Sequence, residues 1–208
     1  MPAFNTLHNE LRLRVPGKPY ELYDDVIRWA VNRICVKTSM WQETTEITTT
    51  DSTDIYDLFT PATPQIQTVH SILYITQKGD TDRVIRRPVN GFINIERFGA
   101  LSDYLLAFRT VDNYQVQIAP YPKDGGITHE VTFALKPTSS ATGVDNEKLF
   151  DEYKDTVICG ALHRLYEDDD NFEQSDRQEK KFNNGISSIH IDVLKENADT
   201  PFKLSAGW

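Results

Sequence analysis

Along the chain the alternation of apolar and polar positions changes period twice. Between Lys18 and Thr38 apolar residues recur every three or four positions, at Tyr23, Val26, Ile27, Ala30, Val31, Ile34 and Cys35. That spacing predicts a helix with one buried face. Lys18-Pro19-Tyr20-Glu21 opens it, since proline suits a first helical position and Glu21, Asp24 and Asp25 place negative charge at the electropositive start. After Thr38-Ser39 the stretch from Trp41 to Thr50 is rich in threonine with Ile47, β-branched types that pack well on a pleated surface.

From there to Pro137 the pattern predicts short strands with turns between them. Asp54 to Phe59 is a strand stopped by Pro61 and Pro64, and Val69 to Thr76 is a longer one followed by a turn at Lys78-Gly79-Asp80. Arg83 to Val89 reads as a weaker extended segment, and Asn90 to Phe98 as a short helix before Gly99. Tyr104 to Thr110 and Tyr114 to Ile118 form a hairpin about Val111-Asp112-Asn113, with Tyr114, Val116 and Ile118 alternating with glutamines. His129 to Leu135 alternates likewise. The expectation is an antiparallel sheet with one solvated face.

The last third returns to helical spacing. Leu149, Phe150, Tyr153, Val157, Ala161, Leu162 and Leu165 line a helix beginning near Asn146, in which Gly160-Ala161 leaves room for a close neighbour. Asp168-Asp169-Asp170-Asn171 interrupts it, and Asp170 or Asn171 caps a third helix carrying Phe182, Ile186, Ile189 and Val193. Gly185 costs that helix about 1 kcal/mol relative to alanine, so either the helix bends there or something packs tightly against it. Pro201 to Trp208 reads as an extended tail, unusually apolar for a terminus.

The fold class is therefore α+β: an N-terminal helix and two C-terminal helices in a small bundle beside an antiparallel β domain. The expected segments are 1–43, 44–140, 141–197 and an extended docking tail at 198–208.

Charge narrows the functions available. Among 208 residues, 22 Lys and Arg stand against 31 Asp and Glu, a net charge of −9. This excludes a nucleic-acid binder working through a basic face. Cys35 and Cys159 are far apart inside apolar helical patterns and imply neither a disulfide framework nor a metal knuckle. No signal peptide or membrane span is legible, and synthesis and folding in a reducing cytosol is the expectation.

Catalytic signatures are missing. Gly125-Gly126 is followed by Ile127-Thr128-His129, without the lysine or strand-to-helix context of a phosphate loop. His8, His70, His129, His163 and His190 show no metal-ligand spacing, and no serine occupies a nucleophile elbow. Asp151 and Asp155, one turn apart beside Glu152, suit a divalent ion or an acid–base pair, yet carboxylates in a first helical turn are favoured by the helix dipole alone. Asp168-Asp169-Asp170 lacks the spaced ligands of a calcium loop and reads as a solvated turn. No catalytic residue, metal or cofactor is expected. Tyr23 falls on a buried stripe, while Trp29 lies off it, packed against the sheet or against another chain. Arg83, Arg86, Arg87 and Arg97 form the one local basic concentration, suited to acidic residues on a neighbouring subunit.

The order of parts is more telling than any single residue. Val15-Pro16-Gly17-Lys18-Pro19 precedes a helix ending near Thr38 and Trp41, then come Tyr56-Asp57-Leu58 with Pro61, Ile118-Ala119-Pro120-Tyr121-Pro122 and Val131 to Pro137. Tyr153 to Leu165 and Phe182-Asn183-Asn184-Gly185-Ile186 follow. This order, from Val15 to Val193, resembles the head-to-tail adaptors of tailed bacteriophages, the group that includes the tail tubular protein A type.

The resemblance implies a non-enzymatic virion protein of the neck, present in the host cytoplasm during assembly. It implies a homo-oligomeric ring, a dodecamer, below the portal protein, with a tail or nozzle protein docking beneath. Viral DNA passes through the lumen without specific binding, and no membrane is involved. A closed ring needs two different complementary patches on each subunit, and Arg83, Arg86 and Arg87 with Asp168, Asp169 and Asp170 are the expected pair. Phe202, Leu204 and Trp208 are the expected anchors of the docking tail on portal or tail. Between Asp145 and Glu196, 14 acidic residues against seven basic ones leave seven net negative charges, which would let DNA slide past. The competing readings are another neck or tail component (stopper, collar or baseplate), a metal-dependent hydrolase using Asp151 and Asp155, and a carbohydrate-binding domain using Trp29 and Trp41.

Overall fold

A computed structural model describes residues 3–60, 66–78, 80–85, 107–119 and 125–199. The expected short helix over Asn90 to Phe98 and the tail anchors Phe202, Leu204 and Trp208 lie outside the described residues. Two units emerge. One is helical and draws on the segment up to Trp41, a short stretch ending at Gln67, and Lys136–Asp199; the other is built of strands from Gln42–Pro61 and Thr68–Leu135.

In the helical unit, a short 3-10 turn at Phe4–Leu7 leads into α1 (His8–Arg14), followed by α2 (Tyr20–Thr38). Pro19 stands one residue outside α2, extended at φ −67° and ψ 153°, so it pre-sets the entry without occupying the first turn. All seven residues expected on the buried stripe of α2, from Tyr23 to Cys35, are buried. The helix stops at Ser39, whose left-handed backbone (φ 52°) lets its N–H reach the Cys35 carbonyl at 2.9 Å. The N-terminal arm was not legible as helix, although Phe4, Leu7 and Leu11 follow three- and four-residue steps. All three are buried, and the Phe4 ring stacks on Phe150 with centroids 6.2 Å apart.

The helix expected from Asn146 is two pieces, α3 (Lys148–Asp151) and α4 (Lys154–Asp168). Between them Tyr153 takes φ −109° and ψ 17°. The apolar stripe runs through this break because Leu149, Phe150 and Val157 are buried on both sides of it. α5 (Phe172–Asp199) is the longest element. Asn171 caps it, its side-chain oxygen accepting the Gln174 N–H at 3.4 Å and its carbonyl accepting the Ser175 N–H at 3.0 Å.

Both glycines of these helices are contact points. A Cβ on Gly160 would stand 2.7 Å from the Phe182 ring and 2.8 Å from the Ala30 Cβ, and one on Gly185 would collide with the Thr156 side chain. Of the two readings of Gly185, close packing is the one observed.

The strand unit contains two sheets, where the sequence suggested one. The first has the order β1 (Gln42–Thr48), β7 (Thr128–Pro137), β3 (Gln67–Gln77), β4 (Asp80–Ile85); the second has β2 (Ile55–Asp57), β6 (Gln115–Ala119), β5 (Ala107–Asp112). β1 runs antiparallel to β7 with Gln42 opposite Ala134 and Thr48 opposite Thr128, and the expected hairpin is the antiparallel β5–β6 pair. β4 begins at Asp80, inside the expected turn.

The expected single wet face is also corrected, because β7 and β6 are central strands. Thr132, Phe133, Ala134 and Leu135 are all buried, as are Val116, Gln117 and Ile118. Gln117 tolerates this because its amide donates to Asp54 and accepts from the Arg109 Nε; a buried amide must find such partners. Phe59 stacks on Phe133 of one sheet, at 6.1 Å between centroids, and meets Tyr114 beside the other at 6.3 Å.

Candidate functional site

The acidic turn expected to contact a neighbour joins α4 to α5. Asp168 ends α4, Asp169 follows it, and Asp170 adopts φ 56°, a left-handed conformation that aspartate tolerates better than most residues. All three are exposed. Asp169 is already engaged within the unit, ion-paired with Lys18, and that hydrogen bond raises the Lys18 pKa. Asp168 and Asp170 make no ion pair among the described residues. Arg83 lies in β4 of the strand unit, whereas Arg86, Arg87 and Arg97 fall outside the described residues.

The alternative chemistries find little geometry. Asp151 and Asp155 belong to different helices, separated by the break at Tyr153, and both are exposed. They are not one turn apart on a continuous helix. No group of three or more His, Cys, Asp or Glu among the described residues is arranged to hold a metal ion.

Among the described residues, Ser175 and His163 form a close serine–histidine pair. The His163 Nδ1 lies 3.3 Å from the Ser175 carbonyl and 2.9 Å from its hydroxyl, while that hydroxyl donates to the His163 carbonyl at 3.1 Å. A carbonyl only accepts, so Nδ1 carries the proton and the ring is a donor to serine. The pair ties the first turn of α5 to α4. It does not activate a nucleophile, which requires the imidazole to take the serine proton.

Two other histidines have structural surroundings. His8 Nε2 sits 2.8 Å from the Asp24 carboxylate, and burial lowers the pKa of His129. Cys35 is fully buried, its thiol pushed up to about 12, and Cys159 is half-buried with a raised pKa for the same leading reason. Neither is a thiolate nucleophile at neutral pH.

Trp29 packs against helices of its own unit. Its ring meets His163 at 5.8 Å and Phe182 at 5.7 Å, with the Arg33 and Arg164 guanidinium groups at 5.5 and 5.4 Å. Trp41 is core, 2% exposed. An indole so enclosed and a second one buried do not make a sugar-stacking face.

What sequence reasoning missed is a set of exposed apolar side chains on the helical unit. Leu13 is 85% exposed, Phe172 61%, Tyr20 54%, Leu194 53% and Ile191 52%. Leu13 sits between Arg12 and Arg14, and Ile191 and Leu194 fall off the stripe of Phe182, Ile189 and Val193. Their off-stripe positions were the available signal. Such side chains are where a partner surface would gain apolar burial. No helix among the described residues is long and apolar enough to cross a membrane.

The SU10 adaptor protein family model matches residues 4–204. No curated protein matches the chain.

Proposed function

Because the chain belongs to the SU10 adaptor protein family, a family of phage head-to-tail adaptors and hence of structural virion neck components, we propose that copies of it form a twelve-membered ring under the portal. In this reading the ring surrounds the path of the DNA and presents a surface on which a tail or nozzle protein docks. Family membership over nearly the whole chain carries the reading. The exposed apolar side chains of the helical unit support it, since a closed ring requires complementary patches on every subunit.

Electrostatics agree. The region from Asp145 to Glu196 carries seven net negative charges, and duplex affinity comes from lysine and arginine neutralising phosphate. A lumen lined by such a surface lets DNA pass without holding it. The tail residues Phe202, Leu204 and Trp208 are proposed as anchors on the portal or the tail protein. Arg83, Arg86 and Arg87 with Asp168, Asp169 and Asp170 remain the proposed charged contacts between copies.

Quantitative mass spectrometry of purified particles tests the reading. The expected copy number equals that of the portal protein, and a chain deleted for residues 201–208 folds but fails to enter particles. Absence from particles, or retention of duplex DNA by the recombinant protein at physiological salt, overturns it.

A further inference from the structure

We propose that the tip of α1 seats on the C-terminal half of α5 of a second copy, with Leu13 against Ile191 and Leu194. The inference rests on the ring reading and names the contact that would build it.

α1 ends in Arg12-Leu13-Arg14, and its tip is held in place from below by buried Leu11 and Val15. Leu13 is the most exposed of the large apolar side chains described. Beside it the Arg12 Nη1 donates to the Tyr20 hydroxyl at 2.7 Å, and its guanidinium lies 5.4 Å from that ring. Neither Arg12 nor Arg14 has a carboxylate partner among the described residues. The tip is thus an apolar point between two uncompensated cations, one of them already ordered against an aromatic ring. Arginine and aromatic side chains lose little freedom when such a patch is covered.

The receiving surface has the opposite character. From Glu173 to Lys181 α5 carries six charged residues in nine positions, but from Phe182 to Ile191 it carries no Asp, Glu, Lys or Arg. On the exposed side of this stretch the Ser187 and Ser188 hydroxyls donate to the Asn183 and Asn184 carbonyls at 3.0 and 3.2 Å. Those hydroxyls are satisfied without water, so covering them leaves no orphaned donor. Ile191 and Leu194 then stand out at the helix end.

Charge sets the partner. α5 has no basic residue in its last turn, where the helix dipole and unpaired carbonyls favour cations. Lys195 and Lys148 offset Asp192 and Glu196, and the C-terminal end of α5 receives Arg12 and Arg14 of the incoming tip. α1 and α5 both pack on α4, yet the two patches lie on different helices. A contact made once per pair of copies leaves one tip and one helix end free and so propagates from copy to copy, as a ring requires, whereas a two-fold dimer would use both at once and stop at two copies.

Cysteine cross-linking in assembled neck complexes tests this. Full-length chains carrying Leu13→Cys and Ile191→Cys over Cys159→Ser should give, on oxidation, a ladder of covalent multimers on a non-reducing gel. Mixed single-cysteine chains should give dimers only when both cysteines are present. Complexes of normal copy number without a ladder overturn the proposal, as does intrachain closure or a dimer from one single-cysteine chain; the ring reading survives each of these. Two further variants, Leu13→Asp and Ile191→Lys, should leave the free chain folded with its melting midpoint little changed, because Leu13 is 85% exposed and Ile191 about half exposed, and lysine suits the C-terminal part of a helix. Each should lower incorporation at least tenfold. Incorporation within twofold of the natural chain overturns the contact, and absence of the natural chain from particles removes the ring reading itself.

Discussion

In the helical unit the long helices come together where side chains shrink: Gly160 admits the Phe182 ring and the Ala30 methyl, and Gly185 admits Thr156. In the strand unit the corresponding close points are polar. Thr44 and Thr132, directly opposite across β1 and β7, share a hydrogen bond of 2.9 Å, Thr48 and Thr128 share one of 3.3 Å, and Gln117 links Asp54 to Arg109. The first kind of closure depends on volume and leaves no slack for a methyl group. The second depends on matching donors to acceptors, and it tolerates paired exchange.

The sharpest way to break this contrast is to remove the ring that fills the helical junction. Phe182→Ala should cost about 4 kcal/mol, read from urea unfolding followed by circular dichroism. A loss below about 1 kcal/mol would show that the junction collapses around the cavity and is not limited by shape. Next comes Gly185→Ala, which should cost about 2 kcal/mol through overpacking despite the better helix propensity of alanine. Combining it with Thr156→Ala should recover at least half of that loss, and simple additivity of the two would argue against direct contact.

In the strand unit, Thr132→Val alone should cost about 1 kcal/mol, whereas Thr44→Val with Thr132→Val should come back to within about 0.5 kcal/mol of the natural protein. A double variant as damaged as the core variants would erase the distinction.

The smallest effect concerns pH. Burial in β7 holds the His129 pKa below its ordinary value of 6.5, so as pH falls below about 6.5 the unfolded chain takes up a proton before the folded one. The stability contributed by neutral His129 is complete above that pH and is lost as pH falls through the folded-state value. Urea midpoints at pH 7.5 and 5.0 should therefore differ less for His129→Gln than for the natural chain.

Most of the helical unit was legible because helical burial leaves a local trace. The stripes from Tyr23 to Cys35, from Val157 to Leu165 and through Phe182, Ile189 and Val193 depend on neighbours three and four residues away. The break at Tyr153 was not legible, since its backbone turns without interrupting the apolar spacing. Strand partners leave no such trace. Gln117 reads as a solvated position until β6 is known to lie between β2 and β5, and nothing near β1 names β7 as its neighbour.

The interaction surface was legible in part. The aspartate turn stands out as a run of charge, whereas Leu13, Ile191 and Leu194 look like ordinary apolar residues until the stripe of each helix is fixed and they are seen to fall outside it.

The pairing of β1 with β7 also bears on how the protein is born. Gln42–Thr48 leaves the ribosome early, and its partners Thr128–Ala134 are synthesised some eighty residues later. Throughout that interval the nascent chain carries an unpaired threonine-rich strand, the kind of edge that invites pairing with a stranger. Glu43 and Glu46, spaced along it, are charges of the kind that discourage such pairing. The helical unit shares the delay, because α2 meets α4 and α5 only once Lys154–Asp199 has been made.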